Sequence, residues 1–333
     1  MADLYIQNSS YSLSLSDHKL MIKDQDHRML KVVSLSLIDT VLIFGHSQLS
    51  TQLLKSLALQ GIPVFYFSAK GEFLFSMDSF READYEKQRL QAQASFDTDF
   101  CLKISQKIAW AKIKNQLNLL KAYDEQGLLD EEDFKRFEGA CESIKAAKSI
   151  SEMMGIEGRT AKSYFYYLNL LVEEDFHFYG RNRRPSLDPF NALLNFGYSI
   201  LYSCFIGLIR KNGLSLGFGV MHQPRTHHAV LASDLMEEWR PVIVDDTVMG
   251  LIKRGEIKRQ HFEKAGDETH LTSEGIELFS RAMRERILEI HRYIELDKNR
   301  YTFLYMSDQQ VKSLIRSFES RDSDDYISSC TGG

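Results

Sequence analysis

Residues 73–119 read FLFSMDSF READYEKQRL QAQASFDTDF CLKISQKIAW AKIKNQLNL, and within them the spacing of the apolar residues changes. Phe73-Leu74-Phe75 closes a series of short β-prone runs. From about Arg81 the apolar residues recur at three and four positions, with Ile104, Ile108, Ala111 and Leu119 on one stripe. A period of two places alternate side chains on opposite faces of a strand, whereas a period of 3.6 lines them along one face of a helix. The chain is therefore predicted to pass from sheet to helix here.

Working outward, Ser12-Leu13-Ser14-Leu15-Ser16 alternates strictly, and Lys19–Ile22, Ser34–Ile38, Val41–Phe44 and Val64–Phe67 are further β-prone runs. A helix from about Ser50 to Leu59 interrupts them, ended by Gly61-Ile62-Pro63, and Gly71 fits a hairpin turn. Downstream, Asp130 is placed to cap a helix. Asp188-Pro189 is a sharper start, with Asp as cap and Pro at the first helical position; that helix runs past Lys211 to a stop at Gly213. Ile276, Phe279, Met283, Ile287, Ile290 and Ile294 mark another helix beginning near Thr272. The expected fold class is α+β: a small β-rich N-terminal domain over residues 1–80, then a larger all-helical domain over 81–320. Residues 321–333, rich in Ser and Asp, read as a disordered tail.

With 333 residues, 44% of them hydrophobic, the chain can bury a sizeable core, and only 5 Pro favour long helices. Cys101, Cys141, Cys204 and Cys330 form no CxxC pair, so neither a zinc signature nor a disulfide framework is present; the first three read as small core residues. Net charge is −5, which argues against a uniformly basic nucleic-acid binder. The cations cluster, however, over His177–Arg184 (HFYGRNRR) and Lys253–Lys264, and the acids gather in the tail at Asp322, Asp324 and Asp325. A basic face on an acidic protein is compatible with DNA. The first residues lack a basic region followed by an apolar core, and no uninterrupted apolar run of 18 residues occurs, so a cytoplasmic protein with no membrane association is expected.

Three segments carry candidate chemistry. Glu157 lies one turn before Ala161 on a helical stripe with Tyr164, Phe165 and Leu168, where a carboxylate would face the interior and need a partner or a metal. It also fits an exposed acid at a helix start. His222 follows the glycine-bearing stretch from Gly213 to Gly219, which places it on a loop at the edge of the core; a hydrogen-bonded structural histidine fits equally. Asp234 and Glu237 are three apart, on one helical face, with Glu238 beside them and Leu235 and Trp239 on the apolar side. A solvated acidic face, with Arg240 as local partner, is the other reading. Together these groups form an oxygen-rich set with one imidazole and no thiolate, which suits Mg²⁺ or Mn²⁺ rather than structural zinc. The residues alone reach a candidate metal-dependent phosphotransfer site without establishing that the three elements meet.

Nearly the whole chain resembles the CRISPR-associated integrase family of spacer acquisition. In the first domain the resemblance rests on Gly45-His46-Ser47-Gln48-Leu49-Ser50, Gly61-Ile62-Pro63-Val64 and Ala69-Lys70-Gly71. In the second it rests on Glu157-Gly158 with Ala161, Tyr164 and Phe165, and on Arg183-Arg184-Pro185 with Asp188-Pro189, Asn191-Ala192-Leu193-Leu194 and Phe196-Gly197-Tyr198. Gly219 with His222, and Asp234-Leu235-Met236-Glu237-Glu238-Trp239-Arg240-Pro241, complete it. Where some members carry a Gly-Asn pair, this chain has Met77-Asp78-Ser79-Phe80-Arg81.

The resemblance implies a dimerising β domain and a helical domain that binds Mg²⁺ or Mn²⁺ through Glu157, His222 and Glu237. Asp234 would stand in support, with the choice of direct ligand between Asp234 and Glu237 open. It implies attack by a DNA 3′-hydroxyl on a phosphodiester of the CRISPR repeat, or hydrolysis when water replaces the hydroxyl. The implied partners are double-stranded DNA (spacer precursor and repeat), a second copy of the chain, and a small ferredoxin-like adaptation nuclease bridging two dimers. Arg181, Arg183 and Arg184 are expected to contact DNA phosphates, against the alternative of a solvated basic loop. Two other functions fit the same residues: a DNA-binding scaffold with a vestigial metal site, and a general metal-dependent nuclease.

Overall fold

The computed structural model describes residues 2–6, 10–68, 73–77, 85–183, 185–226, 228–294 and 299–330. It contains two compact units, Met1–Gln88 with Ile206–Leu214, and Arg89–Phe205 with Ser215–Gly333. The expected boundary at residue 80 thus falls a few residues short of the unit's edge, and the later segment that joins the first unit left no mark in the sequence.

The first unit holds strands β1 (Ala2–Ile6), β2 (Ser12–Ser16), β3 (Lys19–Lys23), β4 (Met29–Ser34), β5 (Ile38–Phe44) and β6 (Gln48–Leu49). Helix α1 (Thr51–Leu59), β7 (Val64–Phe67) and β8 (Phe73–Met77) follow. One sheet has the order β1-β5-β7-β8, with β5 parallel to both its neighbours; the other runs β4-β3-β2-β6. Asp17 and His18 both have positive φ (47° and 58°), the backbone that a two-residue turn needs to match the twist of β2 and β3. Leu13, Leu20, Ile22, Val41, Ile43, Leu53, Leu57 and Val64 form the buried core. The run expected as a strand over Ser34–Ile38 is broken: β4 ends at Ser34, Leu35–Leu37 makes one 3₁₀ turn, and β5 begins at Ile38. Leu35 N–H donates to His18 O at 3.2 Å instead of continuing a ladder. Gly71 lies outside the described residues.

The remaining helices are α2 (Tyr85–Ser95), α3 (Thr98–Tyr123), α4 (Glu131–Ala146), α5 (Ile150–Leu170), α6 (Pro189–Lys211), α7 (Val230–Met236), α8 (Asp246–Lys253), α9 (Ser273–Leu288) and α10 (Phe303–Ser320). Their ends follow the side chains that cap them. Asp97 separates α2 from α3 by accepting from Phe100 N at 3.0 Å, Asp130 and Asp133 form a reciprocal capping box on α4, and Asp188 Oδ1 accepts from Asn191 N at 2.7 Å at the start of α6. Ile104, Ile108, Leu117 and Leu120 of α3 are fully buried, each contributing roughly 1.5–3 kcal/mol of apolar burial. A π-helical turn, Arg240–Asp245, joins α7 to α8.

Two expectations need correction. The second unit is mostly rather than wholly helical: β9 (Phe262–Ala265) pairs with β10 (Glu268–Leu271), and β11 (Ile290–His291) with β12 (Tyr301–Thr302). Ile290 and Ile294 therefore lie beyond α9, because Glu289 leaves the helical backbone at ψ 144°. Nor is the expected tail disordered over 321–330. Ser323–Asp325 forms a 3₁₀ turn, Tyr326 and Ser329 are buried, and Cys330 bridges Ile294. A low apolar content hid a segment that is held by hydrogen bonds. Helix α6 has the length and apolarity to cross a membrane, but 61% of its most apolar window is buried within the protein, as in a core helix.

Candidate active site

Helix α7 and the turn after it carry three acids, and none is solvated. Asp234 and Glu238 are fully buried and Glu237 is 6% exposed, which overturns the reading of a solvated acidic face. Asp234 accepts from the backbone N–H of Val220 (2.7 Å), Met221 (3.0 Å) and His222 (3.1 Å), and its Oδ1 lies 2.7 Å from His222 Nδ1. The loop reaches this carboxylate only because residue 219 lacks a side chain: a Cβ on Gly219 would lie 2.5 Å from Asp234 Oδ2 and 2.6 Å from Val230 Cγ1. Gly217 has no such role, since its Cβ would meet only Ser215 Oγ, at 3.8 Å. The bond from Asp234 favours the imidazolium and, outweighing burial, raises the pKa of His222 above its ordinary value. It also fixes the tautomer of the neutral ring, with the proton on Nδ1 and the lone pair on Nε2.

Glu157 lies well inside α5, which begins at Ile150 with Glu152 as its first-turn acid, so the reading of Glu157 as a helix-start acid does not hold. Its carboxylate meets Lys112 of α3, and the same ammonium lies 2.6 Å from Glu237 Oε2. Arg240 Nη2 adds a third cation–carboxylate contact, 3.0 Å from Glu237 Oε1. Burial works against charge on Lys112, yet Glu157 and Glu237 outweigh it and its pKa is raised. Burial likewise pushes the Glu237 carboxyl up, but Arg240 and Lys112 hold it well below the usual carboxylate range. Glu237 Oε2 is buried, with the Lys112 ammonium as its partner.

Beside these groups opens a cavity of about 500 Å³, whose lining includes Lys112, Lys162, Arg181, Arg183, Arg240 and Tyr179. The ring of Tyr198 gathers two of these cations, with the Arg181 and Arg240 guanidinium carbons 5.2 and 4.7 Å from its centroid. Its hydroxyl donates to Asp245 Oδ1 at 2.6 Å, and Tyr164 donates to Asp245 Oδ2 at 2.8 Å. Burial raises the Asp245 carboxyl to about 6 despite these two bonds. Arg181 is also anchored by Asn191 Oδ1 (2.8 Å) and Asn195 Oδ1 (2.5 Å). The same amides donate to the loop carbonyls, Asn191 to Gly180 O at 3.0 Å and Asn195 to Arg183 O at 2.8 Å. Of the three arginines expected to meet DNA, Arg181 is held inward, Arg183 is exposed, and Arg184 lies outside the described residues.

The fold thus brings Glu157 and Glu237 together and places His222 near enough to Glu237 for their charges to interact. Among the described residues no three of His, Cys, Asp and Glu close on one point, because Lys112 stands between the two glutamates. The donor chemistry fits a hard divalent cation: two carboxylates that meet on one ammonium and an imidazole whose tautomer is fixed. Sequence reasoning missed Lys112 and the Tyr198–Asp245 pair. The signal for Lys112 was the run of polar residues Lys112, Asn115 and Gln116 on an otherwise apolar buried stripe of α3.

An α+β chain of this architecture, with buried acids and an imidazole beside a cationic cavity, falls in the class of CRISPR-associated nucleases. The chain belongs to the family described as CRISPR associated protein Cas1, whose model matches residues 4–285. It is 32% identical over 322 residues to the CRISPR-associated endonuclease Cas1 of Mycobacterium tuberculosis (strain CDC 1551 / Oshkosh), covering 96% of this chain and 95% of that protein. A Cas4 exonuclease/Cas1 endonuclease fusion of Geobacter sulfurreducens is 31% identical over 85% of this chain and 52% of its own length. Among solved structures, a chain of a Cas6-RT-Cas1–Cas2 complex superposes with a TM-score of 0.82 at 26% identity, over 98% of this chain and 36% of that longer one. A casposase bound to integration product shares the fold, with a TM-score of 0.80 at 24% identity over 97% and 92% of the two chains.

Proposed function

We propose that this protein is a metal-dependent DNA integrase and nuclease that inserts new spacer DNA into a CRISPR array. The observation that carries the reading is the meeting of Glu157 and Glu237, from two different helical segments, on Lys112 at the wall of a cationic cavity. A DNA 3′-hydroxyl attacks a phosphodiester of the repeat, and the 3′-oxygen of the cut strand leaves; water in place of the hydroxyl gives hydrolysis. Glu157, His222 and Glu237 would hold Mg²⁺ or Mn²⁺, which would supply charge neutralisation at the phosphoryl oxygens and activation of the attacking hydroxyl.

Asp234 takes the orienting role rather than that of a ligand, since four donors already converge on its two oxygens. It holds the proton on His222 Nδ1. Arg240 and Arg181, both against the Tyr198 ring and lining the cavity, bind the phosphate that enters it, and exposed Arg183 adds a backbone contact. The partners are double-stranded DNA of the spacer precursor and the repeat, a second copy of the chain, and a small ferredoxin-like adaptation nuclease that bridges two dimers, all in the cytoplasm. The Cas1–Cas2 assembly among the structural relatives supports the last of these.

The test is an integration assay. Purified protein, the small partner, a short duplex with free 3′-hydroxyls and a supercoiled repeat plasmid are combined with and without Mn²⁺, alongside Glu237→Ala. Mn²⁺-dependent joining that the variant loses is the expected result. Cutting without joining would make the protein a general nuclease, and tight DNA binding with no reaction would make it a scaffold with a vestigial site.

A further inference from the structure

Residues 322–330 return to the back of the active site and converge on one buried carboxyl group. Tyr326 Oη donates to Glu238 Oε1 at 2.7 Å, and Ser329 N–H donates to Glu238 Oε2 at 2.6 Å. Gln310 Nε2 donates to Tyr326 Oη at 2.8 Å, while Gln310 Oε1 accepts from Trp239 Nε1 at 2.9 Å. Asn115 Nδ2 donates both to Glu238 O at 2.9 Å and to Ser329 O at 3.0 Å. Both side-chain oxygens and the carbonyl of Glu238 are therefore held by the 326–329 segment or in common with it. Further along, Ile327 N–H donates to Ser313 Oγ at 3.0 Å, and Lys107 Nζ donates to Ser323 O at 2.6 Å.

Two neighbours in sequence connect this cluster to the chemistry. Glu238 follows Glu237 directly. Asn115 is three residues after Lys112, on the same face of α3. The helix that presents Lys112 to Glu237 and the turn that presents Glu237 to Lys112 are thus tied to the same short segment, by different atoms. A buried carboxyl needs a partner on each oxygen, and here both partners come from one short segment, with Asn115 bridging the two backbones. Fixing Glu238 and Trp239 fixes the rotation of the turn, and with it the direction in which Glu237 projects.

We propose that residues 322–330 are a positioning clasp for the active site, in which Tyr326, Ser329 and Asn115 grip Glu238 so that Glu237 is held against Lys112 and Glu157. The inference rests on the functional reading above for what Glu237 does. A displacement of about 1 Å at a reacting group can lower a rate about 100-fold, so a small slip of the turn is enough to be measured.

The test uses the full chain carrying Tyr326→Phe, which keeps the ring and removes the hydroxyl shared by Gln310 and Glu238. The control is Ser317→Ala, a buried hydroxyl on α10 that donates to Leu314 O and has no part in the clasp. In Tyr326→Phe, kcat for Mn²⁺-dependent strand joining should fall about ten-fold or more, with KM for DNA within about two-fold of wild type. Mn²⁺ binding followed by electron paramagnetic resonance should weaken in parallel, and Ser317→Ala should leave all three unchanged. Wild-type kcat and Mn²⁺ binding in a folded Tyr326→Phe would overturn the clasp. If that variant does not fold, Ser313→Ala, which releases Ile327 N–H and the Ser313 bond to Gln310 O, is decisive: a lower kcat at constant KM supports the clasp, and wild-type kinetics overturn it. A wild-type protein that neither binds Mn²⁺ nor joins DNA would overturn the functional reading itself, and the clasp with it.

Discussion

His222 Nδ1 lies 2.7 Å from Asp234 Oδ1, and the same carboxylate accepts the backbone N–H of His222 and of the two residues before it. Ring and loop are therefore set by one acid. Its hydrogen bond, helped by its charge, raises the pKa of His222 against burial, so the imidazolium persists to a higher pH than in a free histidine. A group raised on folding contributes stability below its unfolded pKa, about 6.5, and loses it as pH rises through the folded value. Metal binding needs the neutral ring and runs the opposite way. Mn²⁺ affinity should climb with pH through a midpoint above that of free histidine, and Asp234→Asn should move the His222 midpoint down, as followed by NMR of the ring protons. An unmoved midpoint would separate His222 from Asp234.

Lys112 is the sole cation contacting both Glu157 and Glu237 among the described residues, and removing it leaves two carboxylates facing one another. Breaking a buried ion pair by deleting one partner costs about 3–5 kcal/mol. Glu157 is part-exposed, so Lys112→Met should destabilise by about 2–4 kcal/mol at pH 7. The loss should shrink at pH 4, where protonation relieves the repulsion. Urea unfolding at the two pH values measures this, and an equal loss at both would mean that packing, not charge, is Lys112's contribution.

Gly219 and Gly217 sit two residues apart on one loop, yet only Gly219 lies against Asp234. Gly219→Ala must push the loop off the carboxylate or move α7, and should destabilise by about 1–3 kcal/mol while weakening Mn²⁺ binding through His222. Gly217→Ala should change stability by less than about 0.5 kcal/mol. Thermal melts of the pair check the contrast.

Asp245 is buried between two tyrosine hydroxyls with its carboxyl raised from 3.8 to about 6. Between those values the folded chain keeps the proton and the unfolded chain has lost it, so rising pH erodes stability across that window. A shift of about two units corresponds to about 3 kcal/mol. Asp245→Asn keeps an acceptor for one tyrosine, and the other hydroxyl can turn to accept. The stability of the wild type relative to this variant should fall from pH 4 to pH 6 and level off above it. A flat difference across the range would show that Asp245 is ionised throughout.

Much of the fold was legible because local signals and tertiary packing agree. The strict alternation at Ser12–Ser16, the caps at Asp130 and Asp188, the helix start near Thr272 and the stop at Gly213 all act within a few residues of where they stand. The features that escaped depend on distant partners. Lys112 reads as an ordinary helix lysine until α5 and the end of α7 supply its two carboxylates. Glu238 looks like a solvated neighbour of Glu237 until Tyr326 and Ser329 arrive to cover it. The polar 322–330 segment resembles disorder because composition counts apolar side chains and cannot count hydrogen bonds to come. The resemblance put Asp234 in support of Glu237 and left the choice between them open; what sequence could not show is what reaches each, three backbone N–H groups and His222 for Asp234, Lys112 and Arg240 for Glu237.

The loop from Gly180 to Asp188 is shaped by amides, together with part-buried Arg181 and Asp188. Asn182, Asn191 and Asn195 supply most of its side-chain bonds, reaching Gly180 O, Arg183 O, Ser186 Oγ and Leu187 N. Bonds between neutral dipoles are nearly indifferent to ionic strength, whereas an exposed guanidinium such as Arg183 loses its hold on phosphate as salt rises. Shape and grip therefore separate. High salt should release nucleic acid from a loop that keeps its form, so that dilution restores binding without a refolding lag.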